Sequence, residues 1–227
     1  MKRCVDIAAK KGIGLGVHTL SSFITTNDPF VTPVPDKRLA KVGSGIITSP
    51  VDEKATVISI ASPDFFNQMK NNNLKTVMLG SELIRYRDVS QTAPWQLLDC
   101  VRGAFGPKAQ SHQQGDTIAK LMDHGYKVFL PDMELQDEIA ANIARLFNET
   151  DLQQISFDGL EGSWSTGMGQ YATQLFVKKW YDLLKPALKG KVINDASGPG
   201  HFFWHIFTRM NWGEPWYAGF RESQTQY

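Results

Sequence analysis

The sequence predicts an α/β protein, an incomplete (β/α)8 barrel of the TIM type carrying a small inserted all-β domain. Three observations lead there. Short apolar runs alternate with amphipathic helical stretches in the first and last parts of the chain, the pattern of parallel strands joined by right-handed crossovers. From about Gly43 to Leu121 the apolar pattern becomes short and alternating instead, which marks an insert of a different class. A complete eight-unit barrel needs about 250 residues, and 227 residues less the insert leave room for roughly half of one. The expected partition is 1–42 as the first barrel part, 43–121 as the β module and 122–227 as the second barrel part. A doubly wound open sheet is the alternative architecture.

Taken in order, Met1 to Lys11 reads as a helix with no cap before it. The last residues, Phe220 to Tyr227, stop without a closing turn, so a piece of a longer protein is expected. Gly12 breaks the helix, and Ile13 to Thr19 reads as a buried strand whose end holds His18. Pro29, Pro33 and Pro35 make the following segment an extended loop above that strand end. In the insert, Ala55–Ile60, Thr76–Leu79, Glu82–Tyr86 and Leu97–Arg102 read as strands, with Glu82, Arg85 and Arg102 as cross-strand surface pairs. Lys127 to Pro131 is then a barrel strand ending at Asp132 and Glu134, followed by a helix from Gln136 to Phe147. Ile155 opens the next strand and leads into Asp158-Gly-Leu-Glu161, a glycine-hinged turn with two carboxylates. A helix from Tyr171 to Leu184 packs through Leu175, Phe176 and Trp180 and stops before Pro186. Lys191 to Asp195 is a strand ending in Asn194 and Asp195, and Phe202 to Phe207 reads as an amphipathic packing helix.

Composition narrows the function. Lys plus Arg number 24 against 23 Asp plus Glu, so no basic excess points to nucleic acid or an anionic membrane. Two distant cysteines, Cys4 and Cys100, make neither a disulfide framework nor a metal motif. No apolar run is long enough to cross a bilayer, and no signal peptide stands at the start. His201 and His205 are the only histidines at helical ligand spacing, and they read as a packing pair. No metal or cofactor is expected.

Polar groups stand at each expected strand end: His18, Asp132, Asp158 with Glu161, and Asn194 with Asp195. Glu214 joins them between Trp212 and Trp216. Paired carboxyl groups fit glycoside hydrolysis, in which one protonates the leaving oxygen and the other acts as nucleophile or base. Trp164, Trp212 and Trp216 lie in turns nearby, and flat rings with polar tips suit the faces of sugars. The plainer reading makes Asp158 a turn cap and Glu161 a helix start.

Gly16-Val-His-Thr-Leu20, Thr26 to Pro35, Phe157-Asp-Gly-Leu-Glu161 and Asn211-Trp-Gly-Glu-Pro-Trp216 together resemble the catalytic region of large glycoside-hydrolase-like proteins of polysaccharide-degrading bacteria. The resemblance implies a (β/α)8 barrel, a carbohydrate substrate and a periplasmic or extracellular site of action. It also implies an acid at the end of a central strand, which Asp158 matches, and a second acid at Asp195 or Glu214. Asp158 is then the nucleophile or base, Glu214 the preferred acid and Glu161 the reserve for either role. His18, Asp132, Asn194, Trp164, Trp212 and Trp216 are expected to contact substrate. Within the insert, Gly80 to Tyr86, Arg102 to Gly106 and His112 to Gly115 resemble β modules of phage tail and baseplate proteins, implying an accessory domain without catalytic residues. Half a barrel would leave sheet edges unpaired, so the chain alone is expected to be inactive. The alternatives are a carbohydrate-binding protein on a degenerate barrel and an interaction protein built around the β insert.

Overall fold

The computed structural model describes residues 1–68, 72–197, 206–207 and 209–211. The helices are α1 (Lys2–Ala9), α2 (Met133–Thr150) and α3 (Gln170–Asp182), with a 3-10 turn at Leu160–Thr166. The strands are β1 (Gly16–Leu20), β2 (Lys41–Ile46), β3 (Ile58–Ser59), β4 (Thr76–Leu79), β5 (Glu82–Arg85), β6 (Asp88–Val89) and β7 (Gln96–Leu98). They continue with β8 (Thr117–Leu121), β9 (Asp123–His124), β10 (Val128–Phe129), β11 (Gln154–Asp158), β12 (Ile193–Ser197) and β13 (Arg209–Asn211). The chain divides into two compact units, Met1–Ser22 with Gln136–Tyr227, and Phe23–Leu135.

The first unit holds one parallel sheet in the order β1-β11-β12-β13. This overturns the barrel. Among the described residues the sheet has four strands and does not close, and the remaining sheets are antiparallel. The expected barrel strand at Lys127–Pro131 explains much of the difference, because β10 pairs antiparallel with β9 in a tight hairpin and adds nothing to the parallel sheet. Among the described residues the strand order follows the chain without reversal, so they include no switch point of a doubly wound sheet.

Strict alternation in β11 decides which face is covered. Ile155 and Phe157 are fully buried, while Gln154, Ser156 and Asp158 between them are half-buried. The apolar side packs against the helices: Phe157 meets Trp180 edge-on at 5.0 Å and Phe176 at 6.4 Å, and Trp180 meets Phe147 at 5.6 Å. Each such ring stabilises the fold by about 1.5–3 kcal/mol through its burial. A different period, about 3.6 residues, forms α2, whose Ala140, Ala144 and Phe147 recur at helical spacing on the buried face.

The second unit has two antiparallel sheets, β2-β8-β4-β5 and β3-β7-β6, and its core includes Ile47, Ile58, Val77, Leu79, Ile84 and Ile118. Here Glu82 and Arg102 prove to be interior rather than surface residues. The fully buried Glu82 carboxylate accepts from Arg102 Nε at 2.8 Å and Nη2 at 2.7 Å, from Gly103 N–H at 2.8 Å and from Gln110 N–H at 3.1 Å, with His112 Nε2 at 3.0 Å. Burial alone would push the Glu82 carboxyl up, but these donors together hold it below the usual carboxylate range. Arg102 in turn donates to the carbonyls of Asp52 and Gln110. Lys120 on β8 is also fully buried, donates to the Leu121 carbonyl at 2.5 Å, and is lowered by burial to about 8.

Candidate functional site at the ends of the parallel strands

Register fixes which side chains share the polar face of the parallel sheet. His18 on β1 pairs with Ser156 on β11, and Ser156 pairs with Asp195 on β12. Asp158 lies two residues further along β11, beside Leu20. Period-two alternation therefore puts His18, Ser156, Asp158 and Asp195 on one face, at the carboxyl end of the sheet. This face is partly open, with Leu20 at 48 % and Ile193 at 42 % exposure.

Local geometry holds Asp158 in place. Its Oδ1 accepts the Gly159 N–H at 2.8 Å, and its carbonyl accepts the Ser21 N–H at 2.7 Å. Gly159 adopts φ +70°, a left-handed conformation that lets the chain turn straight from strand into the 3-10 segment and that a side chain would disfavour. His18 Nε2 stands 3.6 Å from Asp158 Oδ2. A close approach brings β1 against β11: a Cβ at Gly16 would lie 2.6 Å from Gln154 Cβ. Around the turn, Thr19 Oγ1 and Ser21 Oγ share a hydrogen bond at 2.8 Å, and the buried Ser22 and Ser163 hydroxyls share another at 2.8 Å.

Asp195 differs in environment from Asp158. It is 8 % exposed, and among the described residues its buried Oδ1 has no hydrogen-bond partner. Leaving a buried acceptor unsatisfied costs about 1–3 kcal/mol, and such atoms in a folded protein call for an explanation. Two residues along a strand and one strand across put the Cα atoms of Asp158 and Asp195 about 8 Å apart.

The other expected site residues are distributed differently. Asn194 pairs with Ile155, so it is fully buried on the helix-packed side, away from the face of Asp158 and Asp195. Asp132 is a helix cap: its Oδ1 accepts the Leu135 N–H at 3.0 Å at the start of α2. Glu161 is exposed in the 3-10 turn, as is Trp164 at 51 %. Trp212, Glu214 and Trp216 lie outside the described residues, as do Trp204, His201 and His205. Ser156 was not singled out from the sequence, although the alternation of Gln154-Ile-Ser-Phe-Asp158 sets it on the face of Asp158.

Among the described residues no three His, Cys, Asp or Glu side chains converge as a metal-binding group. No described helix is long and apolar enough to cross a membrane. The chain matches no family model and no curated protein.

Proposed function

We propose that the chain acts on carbohydrate as a glycoside hydrolase, with Asp158 and Asp195 as its described carboxyl pair. The observation that carries this reading is their placement on adjacent strands of one partly open face, with Asp158 at the carboxyl end of β11. With Cα atoms about 8 Å apart on one face, the two side chains are near enough for their carboxyl groups to flank a single glycosidic bond.

The two environments favour different roles. Asp158, steadied by the Gly159 N–H and flanked by His18, is half-exposed and can reach a sugar carbon or a water from the open side. It serves as nucleophile or base. Asp195 offers a buried oxygen with no hydrogen-bond partner among the described residues, to which a sugar hydroxyl can donate and from which, when the carboxyl is protonated, a glycosidic oxygen can accept. Glu214, the acid preferred from the sequence, stands as the alternative to Asp195, and Glu161 as the reserve for either role. His18 and Trp164 serve as substrate contacts.

The test is hydrolysis by the full chain of a panel of aryl glycosides and reducing-sugar release from plant and microbial polysaccharides. Asp158→Asn should lower turnover by about 10²- to 10⁴-fold, the usual contribution of such a group, with the circular dichroism spectrum unchanged. Hydrolysis that survives the substitution would overturn the reading. Where turnover is found, the anomer of the first-formed product, read by proton NMR, tells whether Asp158 attacks carbon or activates water.

A further inference from the structure

The Phe23–Leu135 unit contains a cavity of about 470 Å³, within the range of roughly 300–1,000 Å³ typical of small-molecule sites. Phe66, Tyr86 and Trp95 give it aromatic walls, and Asn67, Gln68 and Gln91 bring primary amides to it. None of the residues proposed for hydrolysis lines it.

Its walls are fixed by hydrogen bonds among the lining residues and from their neighbours. The Tyr86 hydroxyl donates to the Phe66 carbonyl at 2.5 Å, with Asn72 Oδ1 3.3 Å away. Asn72 Nδ2 donates to the Gln68 carbonyl at 2.8 Å. One wall is pinned from behind by fully buried Asp123, whose carboxylate accepts the Asn73 and Leu74 N–H groups, both at 2.8 Å. Ser90 secures the other, since its Oγ accepts the Gln96 N–H at 2.9 Å and donates to the Pro94 carbonyl at 3.1 Å on either side of Trp95. Among the described residues the side-chain amides of Asn67 and Gln68 have no hydrogen-bond partner.

The lining selects a neutral ligand rich in hydroxyls. A primary amide offers donor and acceptor together, as a pair of neighbouring sugar hydroxyls does. Aromatic rings receive the apolar face of a sugar ring. An anion such as phosphate is poorly served, because Lys75 Nζ is already held by the Arg87 carbonyl at 2.6 Å and Asp88 shares the lining. We propose that this cavity is a carbohydrate-binding site for a neutral mono- or disaccharide, read by the amides of Asn67 and Gln68 against the ring of Trp95. It stands on its own lining and does not depend on the hydrolytic reading.

The experiment is an NMR titration of the ¹⁵N-labelled full chain with D-glucose, D-galactose, D-mannose, D-xylose, maltose and cellobiose. At least one sugar should shift the Asn67 and Gln68 side-chain amides and the Trp95 indole, saturating with a dissociation constant of about 1 mM or tighter. Asn67 is exposed and Gln68 half-buried, so Asn67→Ala and Gln68→Ala leave the fold intact, and each should weaken binding about fivefold. Asp158→Asn should leave this binding unchanged. An absence of shifts with every sugar would overturn the proposal, as would unaltered affinity in both alanine variants. Shifts confined to β11 and β12 would overturn it too, while leaving the hydrolytic reading intact.

Discussion

Glu82 shows how one side chain can hold a small β unit together. A carboxylate with no exposure would be costly if isolated, but five donors surround it, and two of them come from one arginine. Glu82→Gln keeps the shape and removes the charge, leaving Arg102 without its counter-ion. A loss of about 3–5 kcal/mol is expected, read as faster hydrogen exchange of β4, β5 and β8 amides. The pH dependence has a definite sign. The folded-state pKa lies below its ordinary value of 4.5, so the carboxylate's contribution is complete above that value. It is lost as pH falls through the depressed folded value. The gap between wild type and Glu82→Gln should therefore narrow in acid, and a gap that widens there would refute this account. Sequence alone put Glu82 and Arg102 on a strand surface. Their alternation fits either face of a strand, and only the converging backbone donors of Gly103 and Gln110 reveal which one.

At the scale of elements, what was legible was whatever depends on local periodicity. The alternation in β11 and the apolar stripes of α2 and α3 are present in the folded chain at nearly the expected positions, and with them the face on which Asp158 stands. Partner choice was not legible. Lys127 to Pro131 has the apolar run of a buried parallel strand, but it is claimed by β9, a few residues away, before any distant strand can take it. Asp132 changes meaning with it, from a group at a strand end to the N-cap of α2. Asp132→Ala should cost about 1 kcal/mol in stability, measured by denaturant unfolding, and leave KM for any sugar substrate unchanged. A raised KM at unchanged stability would return Asp132 to the site. Asn194 stands apart from the expected site for a related reason, since neighbours in a strand point to opposite faces and only Asp195 shares the polar one.

Across the whole molecule the two units differ in how far apart in the chain their contacts lie. The antiparallel unit contains local hairpins, β4 with β5 across the Gly80–Ser81 turn and β6 with β7 across a short loop, beside longer pairings such as β2 with β8. The parallel sheet is built from the chain's extremes, because β1 pairs with β11 only after the whole Phe23–Leu135 segment intervenes, with Gly16 opposite Gln154. That separation also explains why the barrel reading failed. A count of strand-like runs says how many strands exist, but not that an intervening unit will close on itself and leave, among the described residues, a parallel set of four. Loop closure over such a span is an entropic cost met before the contacts reward it, whereas a hairpin closes over a few residues. Pulsed hydrogen exchange during refolding should accordingly find the β4 and β5 amides protected first, and the β1 and β11 amides protected later and together. Shortening the intervening segment from within, by removing the exposed Glu53–Lys54 turn, should hardly change the later phase, since closure cost grows only with the logarithm of loop length. If β1 and β11 gained protection before β4 and β5, helix packing around Phe157 and Trp180 would be the nucleus instead, and the local hairpins would form on a sheet already assembled.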